Sequence, residues 1–159
     1  MDTQNSLRDG LLTVVLPAYN EQDSVPLAAD TICPLLEKEG IRHEILFVND
    51  GSRDGTWKAI QAQTARHPQV RGVCFSRNFG KEAAIFAGLA QAKGDCAVVL
   101  DCDLQHPPEC LPEIVRKFEE GCGVISMVRT KNKSAGLIKN ITSAGFYWVI
   151  NTLSDVKFE

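Results

Sequence analysis

Two carboxylates stand at the end of an apolar run in the second half of the chain. Residues 98–100 (VVL) are followed at once by Asp101 and Asp103, and Gln105 comes two residues later. An unpaired carboxylate is costly to bury, so such groups normally meet a cation, a hydrogen-bond network or water. Carboxylate oxygens are hard ligands that suit Mg²⁺ or Mn²⁺, and a metal held this way can also bind phosphate groups. The run therefore predicts a site for a divalent metal and a phosphorylated ligand.

Polar clusters follow three of the strands that the sequence predicts. They occupy residues 17–21, 49–52 and 101–105. Because ligands of open α/β folds bind at the carboxyl ends of parallel strands, the three clusters are expected to converge on one edge. One such loop alone is typical of a solvated turn. Three together suit a nucleotide diphosphate, with Asp50 accepting a hydrogen bond from a base N–H and Tyr19 packing on the base.

Other polar residues each have a plainer alternative. Arg129 follows the last predicted strand, and its planar donor fork suits a phosphate, but a surface position is equally compatible with the pattern. His106 adjoins the acidic run and either lines the site or lies in an ordinary loop. The sequence has no G-x-x-x-x-G-K-[ST] and no G-x-G-x-x-G after its first predicted strand. These absences argue against a P-loop NTPase and a dinucleotide-binding domain.

The elements that must position these residues follow from an alternation of strand and helix patterns. Strands are expected at residues 11–16, 44–48, 70–75, 96–100 and 124–128, and helices at 24–39, 55–66, 81–93 and 109–120. Pro17 is expected to end the first strand, and Pro34 to kink or break the first helix. The alternation predicts an α/β fold with a mostly parallel central sheet and helices on both faces.

Composition limits the function classes. The chain has 159 residues, 44% of them hydrophobic, which is enough for one domain with a substantial core. Its net charge of −3 gives no general attraction to nucleic acid. Six cysteines without a C-x-x-C pair predict reduced, structural thiols. We expect a cytoplasmic protein, because the polar residues 1–10 carry no signal-peptide pattern and no apolar stretch is long enough to span a membrane.

Four segments, taken in order, resemble family 2 glycosyltransferases. They are residues 15–21 (VLPAYNE), 48–56 (VNDGSRDGT), 76–81 (SRNFGK) and 101–109 (DCDLQHPPE). The nearest similarity is to enzymes that load polyprenyl phosphates with sugars, the dolichol-phosphate mannose synthases and bactoprenol glucosyltransferases. The resemblance implies a GT-A nucleotide-diphospho-sugar transferase fold. It also implies inverting transfer of a hexose from a UDP- or GDP-sugar to a polyprenyl phosphate, assisted by Mg²⁺ or Mn²⁺.

The resemblance further implies roles for individual positions. Those that match contacts to the nucleotide sugar are Pro17, Tyr19, Glu21, Val48, Asp50, Asp101, Cys102 and Arg129. Those that match metal contacts are Asp103 and Gln105. We expect catalysis to depend on Asp101, Asp103 and Arg129, which would act by positioning and by stabilising the departing diphosphate.

Three regions are expected along the chain. Residues 1–10 form a polar tail, 11–130 the GT-A catalytic domain, and 131–159 a basic loop followed by an apolar helix over 138–153. That helix either lies at a membrane surface near a lipid phosphate or covers the core. The resembling enzymes continue beyond the equivalent of Glu159, commonly into two membrane-spanning helices, so we expect a truncated chain that works at the inner membrane face.

One departure from the family pattern and two rival functions remain to be considered. The family often has two acids before Gly51 and Ser52, and here Asn49 replaces the first while Asp50 is retained. A transferase acting on a saccharide or protein would need a carboxylate base; no clear candidate lies in this chain, although one could lie beyond its end. A chain that binds nucleotide without turnover is the other alternative. The sequence leaves the sugar, the nucleotide and the oligomeric state undecided.

Overall fold

Strands and helices alternate along the chain as the sequence predicts. The computed structural model describes residues 10–127, of which 10–125 belong to one compact unit. The elements are β1 (Leu12–Ala18), α1 (Ser24–Lys38), β2 (His43–Asn49), α2 (Thr56–Arg66), β3 (Val70–Cys74), α3 (Lys81–Gln91), β4 (Cys96–Val99), a 3₁₀ turn (Pro108–Cys110) and α4 (Leu111–Glu119). No helix within residues 10–127 is both long enough and apolar enough to cross a membrane.

The sheet has the strand order β3-β2-β1-β4, and all three pairings are parallel. β1 and β2 are central, so both of their faces are buried, which is why they read as continuous apolar runs instead of alternating ones. A parallel arrangement puts the carboxyl ends of all four strands at the same edge. The predicted convergence of the polar clusters is therefore confirmed.

Helices cover both faces of the sheet. The larger core lies beneath α1, α2 and α4 and includes Leu16, Phe47 and Ile60. The smaller core lies beneath α3 and includes Val15 and Val48. α3 approaches closely because Gly88 carries no side chain, and a Cβ there would come within 2.2 Å of Val15 Cγ1.

Both prolines expected to interrupt elements are accommodated within them. β1 continues through Pro17. Backbone groups along β1 point alternately to β2 and β4, and the Pro17 nitrogen, which has no hydrogen to donate, faces the β4 side. Pairing on that side ends at Val15, whose carbonyl accepts the Leu100 N–H. Pro34 lies on the exposed side of α1, where water can hydrate the carbonyl left without a donor, and α1 is not broken.

Two predicted elements of the second half differ from the structure. Residues 124–127 form no strand, and Val124 is 92% exposed, so an apolar run without a partner strand does not become part of the sheet. The helix expected from residue 109 begins as a 3₁₀ turn and becomes α4 only at Leu111. Residues 1–9, Val128, the basic loop and the apolar pattern over 138–153 lie outside the described residues.

A buried acid joins the strands at the amino-terminal edge of the sheet. Glu44 is 6% exposed, and one of its oxygens accepts the Thr13 hydroxyl at 2.8 Å and the Lys93 N–H at 2.7 Å. The other oxygen meets the Arg71 guanidinium at 2.7 Å. Burial alone would raise the pKa of Glu44, but the hydrogen bonds from Arg71, Lys93 and Thr13 together hold it below its ordinary value.

We predict that Glu44→Gln lowers the free energy of unfolding by about 2 kcal/mol at pH 7, because a buried carboxylate is replaced by an amide that mismatches its donors. A carboxyl group whose pKa is lower in the folded protein stabilises the folded state at neutral pH. This contribution to the free energy of unfolding is lost as the pH falls through the folded-state pKa. Urea unfolding of both proteins at pH 7 and below pH 4 should therefore show the difference shrinking in acid. Asp30→Asn, in an exposed ion pair with Arg66, is the control and should change stability much less.

Candidate functional site

A cleft of about 440 Å³ opens at the carboxyl edge of the sheet, within the size range of small-molecule sites. The loops after β1, β2, β3 and β4 all contribute to its wall. The sequence-predicted residues that line it are Pro17, Tyr19, Glu21, Asp50, Asp101, Cys102, Asp103 and Gln105. One cleft thus gathers most of the residues expected to bind a nucleotide sugar and a metal.

The two remaining predicted residues are Val48 and Arg129. Val48 is fully buried in the core beneath α3 and does not line the cleft. Arg129 lies outside the described residues. Among the lining residues for which the sequence predicts no role are Asn78, Gly80 and Lys81. Their position in the chain could have indicated them, because they follow β3 just as the polar clusters follow the other three strands.

Reciprocal hydrogen bonds join the loop after β1 to the loop after β2. The Asn20 N–H donates to Ser52 Oγ at 3.0 Å, and Asn20 Oδ1 accepts the Arg53 N–H at 3.0 Å. Gln22 Oε1 accepts the Gly55 N–H at 3.0 Å. Asn20 adopts a left-handed backbone with φ of 57°, a conformation that asparagine tolerates better than most residues. The two loops are therefore held as one rigid wall.

Glu21 is fixed in that wall from both of its ends. Its N–H donates to Thr56 Oγ1 at 2.8 Å, and its carboxylate accepts the Ser24 hydroxyl at 2.5 Å. Asp54 in turn accepts the Thr56 N–H at 3.0 Å, which satisfies a free amide at the start of α2. These contacts hold Glu21 beside the half-exposed ring of Tyr19 at the cleft.

Asp50 links the loop after β2 to the loop after β3. It is 3% exposed, and its two oxygens accept the Phe79 N–H at 2.7 Å and the Gly80 N–H at 3.0 Å. A carboxylate has about four acceptor positions, so two remain for a ligand in the cleft. The base contact at Asp50 stays a prediction, and the structure adds the role of fixing the β3–α3 loop.

The acid at the end of β4 is paired with a cation inside the cleft. Lys81 Nζ lies 2.5 Å from Asp101 Oδ1, and His106 Nδ1 lies 3.8 Å from Asp101 Oδ2. Lys81 is the first residue of α3, whose amino-terminal end adds a partial positive charge near the cleft. Basic and acidic groups thus stand side by side where a phosphate and a metal would both be bound.

Asp103 and Gln105 are presented by a strained turn. Leu104 has a φ of 54°, which a branched aliphatic residue rarely adopts, and its N–H donates to the Asp101 carbonyl at 3.1 Å. The Leu104 side chain packs against the larger core, which offsets the strain. The Gln105 N–H donates to Asp103 Oδ1 at 3.1 Å. Both side chains are exposed and line the cleft.

The donor set fits a hard divalent metal that is held only partly by protein. No group of three or more His, Cys, Asp or Glu side chains within residues 10–127 is arranged to hold an ion by itself. Mg²⁺ and Mn²⁺ sites of this kind use one or two carboxylates and complete the shell with water and substrate phosphates. Asp103 and the Gln105 amide oxygen, beside Asp101, could supply such a partial shell.

Cys102 lies between the two acids but is not an activated thiol. It is 3% exposed, and burial, followed by the negative charges of Glu21, Asp103 and Asp101, raises its pKa to about 12. The thiol is therefore protonated at neutral pH. It contributes packing to the cleft wall and no nucleophile.

Comparisons with known proteins agree with this geometry. The model of glycosyl transferase family 2 matches residues 13–154. A prophage bactoprenol glucosyl transferase homolog of Escherichia coli (strain K12) is 36% identical over 148 residues, which are 93% of this chain and 48% of that protein. The bactoprenol glucosyl transferase of Shigella phage SfV is also 36% identical over 93% of this chain and 48% of its own length. The chain spans about half the length of the curated relatives it matches.

A solved structure adds a likeness in fold. Glucosyl-3-phosphoglycerate synthase from Mycobacterium tuberculosis, in complex with Mn²⁺, UDP-glucose and phosphoglyceric acid, is 26% identical and superimposes with a TM-score of 0.63. The match covers 96% of this chain and 54% of that chain. The predicted GT-A fold is thereby confirmed.

We predict that Gly51→Ala is far more destabilising than Gly40→Ala. Both glycines have a left-handed backbone, with φ of 62° and 69°, so each alanine bears a similar conformational cost of about 1 kcal/mol. A Cβ at Gly51 would also come within 2.2 Å of the Arg77 carbonyl carbon, whereas at Gly40 it meets nothing within 4 Å.

The collision must displace the β3–α3 loop, and overpacking of this kind costs about 1–3 kcal/mol more. Chemical denaturation of the two variants measures the difference directly. Equal losses at the two positions would show that the close approach of the β2–α2 and β3–α3 loops is not rigid.

Proposed function

This chain belongs to glycosyl transferase family 2, and we propose that it is the donor-binding part of an enzyme that transfers a hexose from a UDP- or GDP-sugar to a polyprenyl phosphate. The observation that carries the proposal is the acidic turn after β4, which faces the same cleft as Lys81 and the wall bearing Tyr19. The bactoprenol relatives support the lipid acceptor. The neighbour in complex with UDP-glucose supports a nucleotide-sugar donor.

The nucleotide would lie along the loops after β1 and β2. Tyr19 packs on the base, and Asp50 accepts a base N–H with the acceptor positions that Phe79 and Gly80 leave free. The diphosphate then extends toward Asp101 and Lys81, where the ammonium neutralises part of its charge. Arg129 is proposed as a second cation near the diphosphate.

Asp103 and Gln105 would hold Mg²⁺ or Mn²⁺, with Asp101 in support. When bound, the metal supplies positive charge to the diphosphate as the bond to the sugar breaks. Leu104 fixes the turn that presents both ligands, so the charge is pre-organised and need not be assembled during the reaction.

A phosphate acceptor is consistent with the described residues, among which we assign no carboxylate as a catalytic base. A polyprenyl phosphate is already an anion at neutral pH, so inverting attack on the sugar requires positioning more than proton removal. A saccharide or protein hydroxyl would require a carboxylate base. We further propose that the enzyme acts at the cytoplasmic face of a membrane, since that acceptor is a lipid, and we leave oligomeric state open.

The proposal is tested by following label from UDP-[¹⁴C]glucose in the presence of Mn²⁺. The chain is incubated with undecaprenyl phosphate in detergent, with an oligosaccharide, or with no acceptor. Label extracted into the organic phase is the expected result. Label on the oligosaccharide alone would favour the saccharide transferase, and nucleotide binding without transfer would favour a binding role for this chain.

We predict that Asp103→Ala weakens Mn²⁺-dependent UDP binding by about tenfold or more, because one of the few protein ligands of the metal is removed. Titration calorimetry with UDP, with and without Mn²⁺, measures the effect. Glu109→Gln is the matched control, since Glu109 is a nearby exposed acid that does not line the cleft. Equal Mn²⁺ dependence in Asp103→Ala and wild type would contradict the metal assignment.

We predict a different pattern for Lys81→Met. UDP affinity should fall by about tenfold through loss of a charge-assisted contact to the diphosphate. Binding of Mn²⁺ alone should not weaken, because the variant removes a cation that pairs with Asp101. Electron paramagnetic resonance of free Mn²⁺ provides the second measurement. Lys58→Met, at an exposed position of α2, is the control, and an equal loss there would argue against a specific role for Lys81.

A further inference from the structure

Asn49, the last residue of β2, makes side-chain contacts in two directions. It is 2% exposed, so its amide cannot be satisfied by bulk water. Its Oδ1 accepts the Ser52 N–H at 3.1 Å, and its Nδ2 donates to Cys74 Sγ at 3.1 Å. One side chain thus joins the loop after β2 to the last residue of β3.

The β3–α3 loop is held at both of its ends by consecutive residues. Asn49 binds its start, through the Cys74 sulfur and through its own carbonyl, which accepts the Phe75 N–H at 2.9 Å. Asp50 binds its end, through the amides of Phe79 and Gly80. The held segment delivers Asn78 and Lys81 to the cleft.

An amide meets both demands at position 49 without depending on the thiol proton. Its oxygen can accept from Ser52 while its nitrogen donates to the sulfur, whereas a carboxylate could pair with Cys74 only by accepting from the weak S–H donor. A carboxylate at this position would be almost fully buried, and that weak donor would compensate its charge poorly. The asparagine is therefore matched to the thiol of Cys74, which accepts from Asn49 and can donate to the Phe75 carbonyl at 3.5 Å.

We propose that Asn49 is a positioning residue for donor binding, which acts through Cys74 to fix the β3–α3 loop and so sets Asn78 and Lys81 against the nucleotide diphosphate. This inference rests on the proposed function, because the ligand that Lys81 meets is taken to be a nucleoside diphosphate. Asn49 itself need not touch the ligand.

The test measures UDP affinity with Mn²⁺ by calorimetry, and thermal unfolding by circular dichroism, on the 159-residue chain. Asn49→Asp removes the donor and Cys74→Val removes the acceptor, so each should weaken UDP binding by about tenfold. Cys74→Ser keeps an acceptor and should bind UDP about fivefold more tightly than Cys74→Val. In Asn49→Asp combined with Cys74→Ser, the serine hydroxyl can donate to the carboxylate, and affinity should recover at least half of the loss on a logarithmic scale.

Glu44→Gln separates positioning from general stability. Glu44 lies at the edge of the sheet opposite the cleft, so the variant should lower the unfolding temperature and leave UDP affinity unchanged. If Asn49→Asp does not fold, Cys74→Val and Cys74→Ser still carry the comparison, because Cys74 is exposed.

The outcomes separate the inference from the function on which it rests. Wild-type UDP affinity in both Asn49→Asp and Cys74→Val would overturn the positioning role. Loss in Asn49→Asp without loss in Cys74→Val would overturn the pairing through sulfur. If the wild-type chain binds neither UDP nor GDP, it is the proposed function that fails.

Discussion

The buried carboxylate of Asp50 is the contact on which the cleft depends. It follows β2 directly and accepts two backbone amides from the turn that starts α3. Removing either partner would leave a buried charge or two unpaired amides, so the contact is costly to break. Since Gly51, the next residue, touches the Arg77 backbone with no room for a side chain, the two loops are held at a fixed separation.

The same loop after β2 is bound on its other side by Asn20 and Gln22. Three loops from three different strands are consequently joined by hydrogen bonds between side chains and backbone. Helix packing holds the strands from which these loops extend. Such bonds fix the distance between loops without filling the space between them. The cleft can therefore be rigid and open at once. A site of this kind can bind a nucleotide without first having to order its loops.

The general arrangement follows from the sequence, and its finer parts do not. Alternating patterns predict the strands, and parallel topology then brings the acids after β4 to the loops after β1 and β2. The role of Lys81 was not predicted, because the loop after β3 carries no acid and a lysine at a helix start usually lies in solvent. The continuation of β1 through Pro17 depends on which neighbouring strand its backbone faces. It faces the β4 side, and because pairing with β4 ends at Val15, no hydrogen bond from the Pro17 nitrogen is needed there. Val48 matches a binding motif but faces the core, which only the register with β1 reveals.

Two acids beside apolar strands show why sequence alone cannot separate structure from function. Glu44 is the second residue of β2, and Asp101 follows β4. Glu44 is almost fully buried, and donors from Thr13, Lys93 and Arg71 occupy three of its about four acceptor positions, so little is left for a ligand. Within the described residues, the Asp101 carboxylate meets the exposed side chains of Lys81 and His106, and a phosphate could take its place beside either of them. The role proposed for Asp101 therefore depends on partners that a ligand can replace, a property that arises from the fold and that its position in the chain does not reveal.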